Sequence, residues 1–255
     1  ALVFSGGASL TTQQKARLPE ADLIIAADSG VDRAHECELE VAIAVGDFDS
    51  VTELGLSRAQ ASGARIVRHS VEKDETDLEL ALLEAQRLGI ERIVVVALDG
   101  GRVDHYLANL ALLAAPRFRA QAIEAQLGEG SVWAVHEQHE MTGRVGELVS
   151  LLPIGGDAVG VRTEGLRYPL RHETLPAGSP RGMSNQFSNT SAVVEVAEGS
   201  LLCVRPAYEP PATPAAVPVS KSSAETVPMK GSSMCTCGSI PPGKTYCPEA
   251  STTSS

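Results

Sequence analysis

The sequence predicts an α/β N-terminal domain with a mainly parallel sheet, followed by an all-β sandwich domain and a disordered tail. Three observations lead there. Residues 1–127 alternate short β-branched runs with helical stretches. Residues 131–205 carry short, alternating apolar runs broken by glycine, with no helical period. Residues 206–255 hold nine of the fifteen prolines among many Ser, Thr and Ala residues, a composition that buries too little apolar surface to offset chain entropy.

In the first part, strands are expected at Leu2–Phe4, Leu23–Ala27, Val41–Val45, Arg65–Arg68, Arg92–Leu98 and Ala122–Leu127. Helices are expected between them at Val31–Cys37, Ser57–Ser62, Asp77–Leu88 and Asp104–Ala114. The helix from Asp77 puts Leu78, Ala81, Leu82, Ala85 and Leu88 on one stripe, and Gly89 stands where a helix-ending glycine belongs. Continuous apolar strands joined by helices imply a parallel sheet covered on both faces, with ligands bound beyond the carboxyl ends of its strands. In the second part, strands are expected at Ser131–Val135, Glu147–Leu152, Val159–Thr163, Ala192–Val196 and Ser200–Val204.

The chain has 255 residues, 43% hydrophobic and 21% charged, as an ordinary globular protein does. Its net charge of −11 argues against binding nucleic acid or an anionic membrane, either of which needs a basic face. The charges of the tail cancel: Lys221, Lys230 and Lys244 stand against Glu209, Glu225 and Glu249. The first two parts therefore carry the whole acidic balance. The apolar run Ile93–Leu98 is far too short to cross a bilayer, and no export signal opens the chain, so a cytoplasmic protein is expected. The chain runs into a strand almost at Ala1, so a few native residues are expected before it. Cys37 and Cys203 read as small buried hydrophobes, while Cys235, Cys237 and Cys247 lack the partners of a metal knuckle.

The segments after the strands carry the chemistry. They read Asp28-Ser29-Gly30, Gly46-Asp47-Phe48-Asp49-Ser50, Lys73-Asp74-Glu75-Thr76-Asp77 and Asp99-Gly100-Gly101-Arg102-Val103-Asp104-His105. Four successive strand ends thus bring carboxylates to one edge of the sheet. Asp47 and Asp49, two apart in extended chain, would project to one side, and paired carboxylates repel unless a cation lies between them. Mg²⁺ takes one or two such carboxylates and fills its remaining positions with water and substrate phosphates. Aspartates also cap turns after strands, but paired acids at the ligand edge fit a cation site better. Asp74 and Asp77 ahead of an apolar helix resemble a capping box, the better reading of that pair taken alone. Asp28 reads equally as cap, turn former or ligand. Gly100-Gly101-Arg102 offers amides and a guanidinium to an anion, and His105 reads either as a phosphate contact or as polar surface. No P-loop, dinucleotide fingerprint or nucleophile elbow is present, and His69, His136, His139 and His172 show no metal-ligand spacing.

Taken in order, these segments resemble the thiamine diphosphokinases, also called thiamine pyrophosphokinases. Glu164-Gly165-Leu166-Arg167-Tyr168-Pro169-Leu170 and Ser184-Asn185 resemble that family's thiamine-binding segment, and the likeness spans residues 1 to 205. It implies transfer of a diphosphoryl group from ATP to thiamine, with AMP leaving, in a homodimer whose cleft lies between one subunit's α/β domain and the partner's sandwich. It further implies Asp47, Asp49 and Asp77 as holders of Mg²⁺ with Asp28 nearby, these four being the catalytic set. Arg102, Asp104, His105 and Lys73 fall to ATP, and Tyr168, Ser184 and Asn185 to thiamine. Eukaryotic members often carry Trp in the place of Tyr168. Two other readings stand beside it: a diphosphokinase for a pterin alcohol, and a non-catalytic thiamine- or metal-binding protein.

Overall fold

The computed structural model describes residues 1–207, so the tail expected to be disordered lies outside the described residues from 208 onward, with Cys235, Cys237 and Cys247. Each β-branched run of the first part forms a strand. β1 (Leu2–Phe4), β2 (Ile24–Ala27), β3 (Ile43–Gly46), β4 (Arg65–Arg68), β5 (Arg92–Val96) and β6 (Ala122–Leu127) pair parallel, in the spatial order β6-β5-β1-β2-β3-β4. Between them run α1 (Thr12–Lys15), α2 (Gly30–Glu36), α3 (Glu53–Ala61), α4 (Asp77–Arg87) and α5 (Val103–Leu113), with a 3-10 turn at Pro116–Phe118. One face of the sheet turns Val3, Ile25, Val45, Ile93 and Val95 onto Leu78, Ala81, Leu82 and Ala85 of α4 and Leu113 of α5. The other turns Leu2, Phe4, Ile24, Ala26 and Ala44 onto Val31 and Ala34 of α2 and Ala59 of α3. Burial on both faces is why the inner strands β1, β2 and β3 are apolar without alternation, whereas the edge strand β4 buries none of its residues. No helix among the described residues is long and apolar enough to cross a membrane.

Helix α4 forms for local reasons. The Thr76 hydroxyl accepts the Glu79 amide at 3.2 Å and caps it. Asp74 is therefore not the cap, and Asp77 is the first helical residue instead of the far end of a capping box. At the other end Gly89, at φ +72°, donates to the Gln86 carbonyl, and Ile90 donates to Ala85, the two bonds of a Schellman motif. Leu88, expected on the buried stripe, caps the helix at 42% exposure. Helix α1 has no counterpart in the sequence reading, because it buries nothing and shows no apolar stripe; a capping box between Thr11 and Gln14 holds it. Helix α5 is apolar but buries only Leu113, with Val103 71% and Leu107 60% exposed.

The second part begins without a break in hydrogen bonding. β7 (Gly130–Val135) returns antiparallel along β6, and β14 (Leu201–Arg205), β9 (Leu148–Pro153) and β12 (Asn185–Gln186) continue the same sheet to ten strands. A second antiparallel sheet, ordered β11-β10-β13-β8, consists of β8 (Gln138–Thr142), β10 (Ala158–Glu164), β11 (Arg171–Leu175) and β13 (Ser191–Glu195). Val149, Leu151, Leu201 and Cys203 of the long sheet meet Met141, Val161, Leu175 and Val194 of the short one, completing the sandwich. Cys203 is fully buried as expected, its thiol pushed up to about 12 by burial, whereas Cys37 is only part-buried. Strands β8, β11 and β12 were not among the expected ones. β8 and β11 are edges carrying polar residues at their exposed positions, and β12 has only two residues.

Candidate active site

The strand order reverses direction beside β1, and a cavity of about 630 Å³ opens there beyond the carboxyl ends of the parallel strands. All five of the strands β1 to β5 send a segment to its wall. β2 delivers Asp28, 6% exposed and in a left-handed conformation at φ +46°. Its Oδ1 has no hydrogen-bond partner, and Ser29 holds the cap position of α2, so Asp28 is no helix cap. β3 ends at Gly46, at φ +148°, where a Cβ would lie a tight 3.1 Å from Asp77 Oδ1 and 3.2 Å from the Asp28 Cβ; the backbone conformation favours glycine there.

The Asp47–Asp49 segment is not extended, as the two-residue spacing suggested. Phe48 turns left-handed at φ +64°, and Asp47 Oδ1 accepts the Asp49 amide at 3.2 Å. Arg68, at the end of β4, clamps this turn from behind: it donates to the Asp47 carbonyl at 3.0 Å, and its guanidinium lies 4.9 Å over the Phe48 ring. The Ser50 hydroxyl donates to Asp49 Oδ1 at 2.7 Å. Asp47 and Asp49 still come together, but the third acid that closes on them is Asp28 and not Asp77. Carboxylate oxygens of Asp28, Asp47 and Asp49 all lie within 4.8 Å of one another.

Lys73 reaches into this cluster from the segment after β4. Its ammonium donates to Asp47 Oδ2 at 2.5 Å and stands 3.2 Å from Asp77 Oδ1, an ion pair too poorly angled to count as a hydrogen bond. The lysine side chain is 12% exposed, and those of Asp47 and Asp77 are 9% and 29% exposed. The Lys73 hydrogen bond holds the Asp47 carboxyl below its ordinary range. Burial, with the neighbouring carboxylates, pushes Asp28 and Asp77 above theirs. Burial also works against the Lys73 charge, but the two aspartates outweigh it and raise its pKa.

β5 leads to Gly100 and Gly101, both left-handed, and to Arg102, which with His105 lines the cavity. Asp104 is not part of the wall. It grips Arg102 at 2.5 Å, and that bond draws its carboxyl down to about 2. The first strand's contribution was missed by the sequence reading. Ser5, Gly6 and Gly7 line the cavity, and a Cβ on Gly7 would fall 2.3 Å from the Asp99 carbonyl, so the two glycine segments touch. A Gly-Gly pair directly after a strand was the available signal.

The residues assigned to thiamine lie apart. Tyr168 and Asn185 line a second cavity of about 440 Å³, with Leu170 and Met183, that shares no residue with the first. The Asn185 side chain is committed to structure. Its Oδ1 accepts the Tyr168 and Gln186 amides, and its Nδ2 donates to the Tyr168 carbonyl at 2.7 Å. Asn185 thus positions Tyr168, which is 55% exposed. Ser184 is left-handed at φ +54° and donates its amide to Ser150; it does not line this cavity. A third cavity, of about 630 Å³ over β5 to β7 near Trp133 and His139, brings no such acid cluster together.

An open α/β sheet with acids converging beyond its carboxyl edge, and a β-sandwich grown from its flank, defines a two-part enzyme of the phosphate-transferring kind. Comparison with known proteins narrows this. Residues 15–126 match the family model "Thiamin pyrophosphokinase, catalytic domain", and residues 135–201 match "Thiamin pyrophosphokinase, vitamin B1 binding domain". The chain belongs to the thiamin pyrophosphokinase family. The thiamine pyrophosphokinase of Bacillus subtilis is 28% identical over 183 residues, covering 69% of this chain and 85% of that one. Thiamine pyrophosphokinase 1 of rice is 28% identical over 151 residues, covering 55% of this chain and 56% of its own length. The crystal structure of the Bacillus subtilis protein superposes with a TM-score of 0.69 at 24% identity, over 80% of this chain and 97% of that one. The Candida albicans structure gives 0.65 at 15% identity, over 80% and 88%; these likenesses speak for the fold.

Proposed function

We infer that this chain is a thiamine diphosphokinase, which transfers the diphosphoryl group of ATP to the hydroxyl of thiamine and releases AMP. The observation that carries the reading is the pair of family matches in order along the chain, over a fold that gathers Asp28, Asp47, Asp49 and Asp77 at its ligand edge. The match to a vitamin B1 binding domain favours thiamine over a pterin alcohol. Retention of all four acids favours catalysis over mere binding.

The donor set fits Mg²⁺. Hard carboxylate oxygens of Asp28, Asp47 and Asp49 lie in close reach of one another, Lys73 ties Asp77 to Asp47, and Asp28 Oδ1 and Asp77 Oδ1 are buried without a hydrogen-bond partner. Asp47, Asp49 and Asp77 would hold the ion, with Asp28 beside them. Bound there, it would neutralise phosphate charge and orient the diphosphoryl group. Gly100, Gly101 and the start of α5 offer amides to the nucleotide phosphates, and Arg102, His105 and Lys73 add positive charge to the same wall. Asp104 acts through Arg102, whose guanidinium it orients. The thiamine oxygen attacks the β-phosphorus, the bond to the α-phosphate's bridging oxygen breaks, and AMP departs. The hydroxyl proton passes to one of the clustered aspartates.

The thiamine cavity around Tyr168 shares no wall with the acid cluster of the same chain, and α5 exposes Val103 and Leu107. Both features support a homodimer whose partner supplies the missing half of each site, so sedimentation should give about twice 26.7 kDa. Two unpaired thiols among the described residues, Cys37 and Cys203, suit a reducing cytoplasm. The direct test is AMP release from ATP with and without thiamine. AMP that appears only with thiamine, and only with Mg²⁺, is the expected result; a pterin alcohol serving equally well, or no AMP at all, would sink the assignment.

A further inference from the structure

We propose that Lys73 is an internal counter-ion, holding the place of the divalent cation among the aspartates and surrendering it when that cation binds. This inference rests on the Mg²⁺ reading above. Asp28, Asp47, Asp49 and Asp77 bring four negative charges to one end of the sheet, and Lys73 is the one cation among the described residues that forms an ion pair with any of them. Its ammonium spans two elements, touching Asp47 on the β3 loop at 2.5 Å and Asp77 on α4 at 3.2 Å. Those are two of the three side chains assigned to the metal. Arg68, the other nearby cation, addresses the Asp47 backbone and leaves its carboxylate alone.

The ammonium and a divalent ion cannot share this position without strong repulsion, because both need the same oxygens and carry like charge. A compact ammonium on a flexible four-carbon stem can withdraw where a forked guanidinium could not. Lys73 already lines the cavity, so a withdrawn ammonium stays within it, facing the wall formed by Arg102 and His105. Lys73 also serves Asp28 poorly. The Asp28 Oδ1 atom, on a residue only 6% exposed, keeps no partner while the lysine occupies the cluster. A divalent ion drawing on Asp28 as well gains what the lysine leaves unused. One side chain thus limits self-repulsion in the metal-free protein and contributes to the phosphate side in the loaded one.

The test is calorimetric titration of the full chain with MgCl₂, nucleotide absent, for the wild type, Lys73→Met, Lys73→Gln and Lys73→Arg. Removing the competing charge should tighten Mg²⁺ binding roughly tenfold to a hundredfold in the Met and Gln variants, the range typical of coupled sites. Lys73→Arg, whose forked guanidinium cannot withdraw, should bind Mg²⁺ more weakly than wild type. In chelator the neutral variants should melt lower than wild type, and MgCl₂ should raise their melting temperature more. Their kcat/KM for ATP should nevertheless fall, so that metal affinity and turnover move in opposite directions. Unchanged or weaker Mg²⁺ binding in Lys73→Met and Lys73→Gln would overturn the proposal; if the Met variant fails to fold, the Gln variant decides alone. A wild type fully active in excess chelator would instead sink the metal reading on which the proposal rests.

Discussion

Replacing Asp77 by Asn separates two roles that the sequence could not tell apart, helix start and metal ligand. Thr76 is the cap of α4, so Asp77 contributes to the helix only through its charge in the first turn. Losing that term costs about 0.3–1 kcal/mol. Against it stands the relief of repulsion from Asp47 and Asp49, which raise the Asp77 pKa on top of burial, offset in turn by loss of the ion pair with Lys73 at 3.2 Å. The metal-free variant should therefore melt close to wild type. Catalysis should respond very differently. A unit charge about 4 Å from another is worth about 4 kcal/mol at an effective dielectric of 20, which corresponds to about three decades in rate. Asp74→Asn is the control, since Asp74 lines the cavity but forms no ion pair with Lys73 and is not the cap. The assay is kcat across a Mg²⁺ titration, with melting temperature in chelator, for both variants. If Asp77→Asn kept kcat within a few-fold of wild type, Asp77 would leave the metal site and the electrostatic reasoning would fail with it.

Three further outcomes follow from neighbouring contacts. Thr76→Val removes the cap of α4 and should cost about 1 kcal/mol, a drop of about 2–4 °C in a thermal melt. Asp28→Asn should raise the melting temperature of the metal-free protein at neutral pH. The folded-state pKa of Asp28 is raised, so its ionisation costs stability as pH climbs through that value, and the gain should vanish in acid, where the wild-type carboxyl protonates unaided; a gain unchanged across that range would contradict the account. Arg68→Met loses the clamp on the Asp47–Asp49 turn. The Mg²⁺ needed for half-maximal rate should rise severalfold while stability drops by only about 0.5–1 kcal/mol, as for an exposed cation–π contact, and an unchanged Mg²⁺ requirement would count against the clamp.

The parallel half of the fold was legible because its inner strands β1 to β3 are buried on both faces, so that apolar runs stand out against helices with a clear stripe. β1 and β4 fall on the expected residues, and α4 differs only in its cap and in Leu88. Edges were less legible. Nothing in Gln138–Thr142 or Arg171–Leu175 alternates strongly, since such strands face the core with only one or two residues. The convergence of Asp28, Asp47 and Asp49 followed from a rule about sheet edges, although their local geometry did not: a left-handed Phe48 cannot be read from a spacing of two. Asn185 and Asp104 were recognisable as special by motif, but their partners, the Tyr168 backbone and Arg102, appear only once the chain is folded. The glycines after β1 were overlooked because small residues carry no functional group; their value lies in how closely two backbones can pass.

The ten-strand sheet also fixes how the subunit can move. Main-chain hydrogen bonds run unbroken from β4 to β12, crossing from the parallel half into the sandwich at the short turn between β6 and β7. Among the described residues the chain has no linker about which these two halves could hinge. Shielding the site from water then falls to the segments at the carboxyl edge, Asp47–Ser50, Lys73–Thr76 and Gly100–Arg102. Amide exchange should reflect that stiffness, with β6, β7 and β14 opening together at the cost of global unfolding while the edge segments exchange early and slow down when substrates bind.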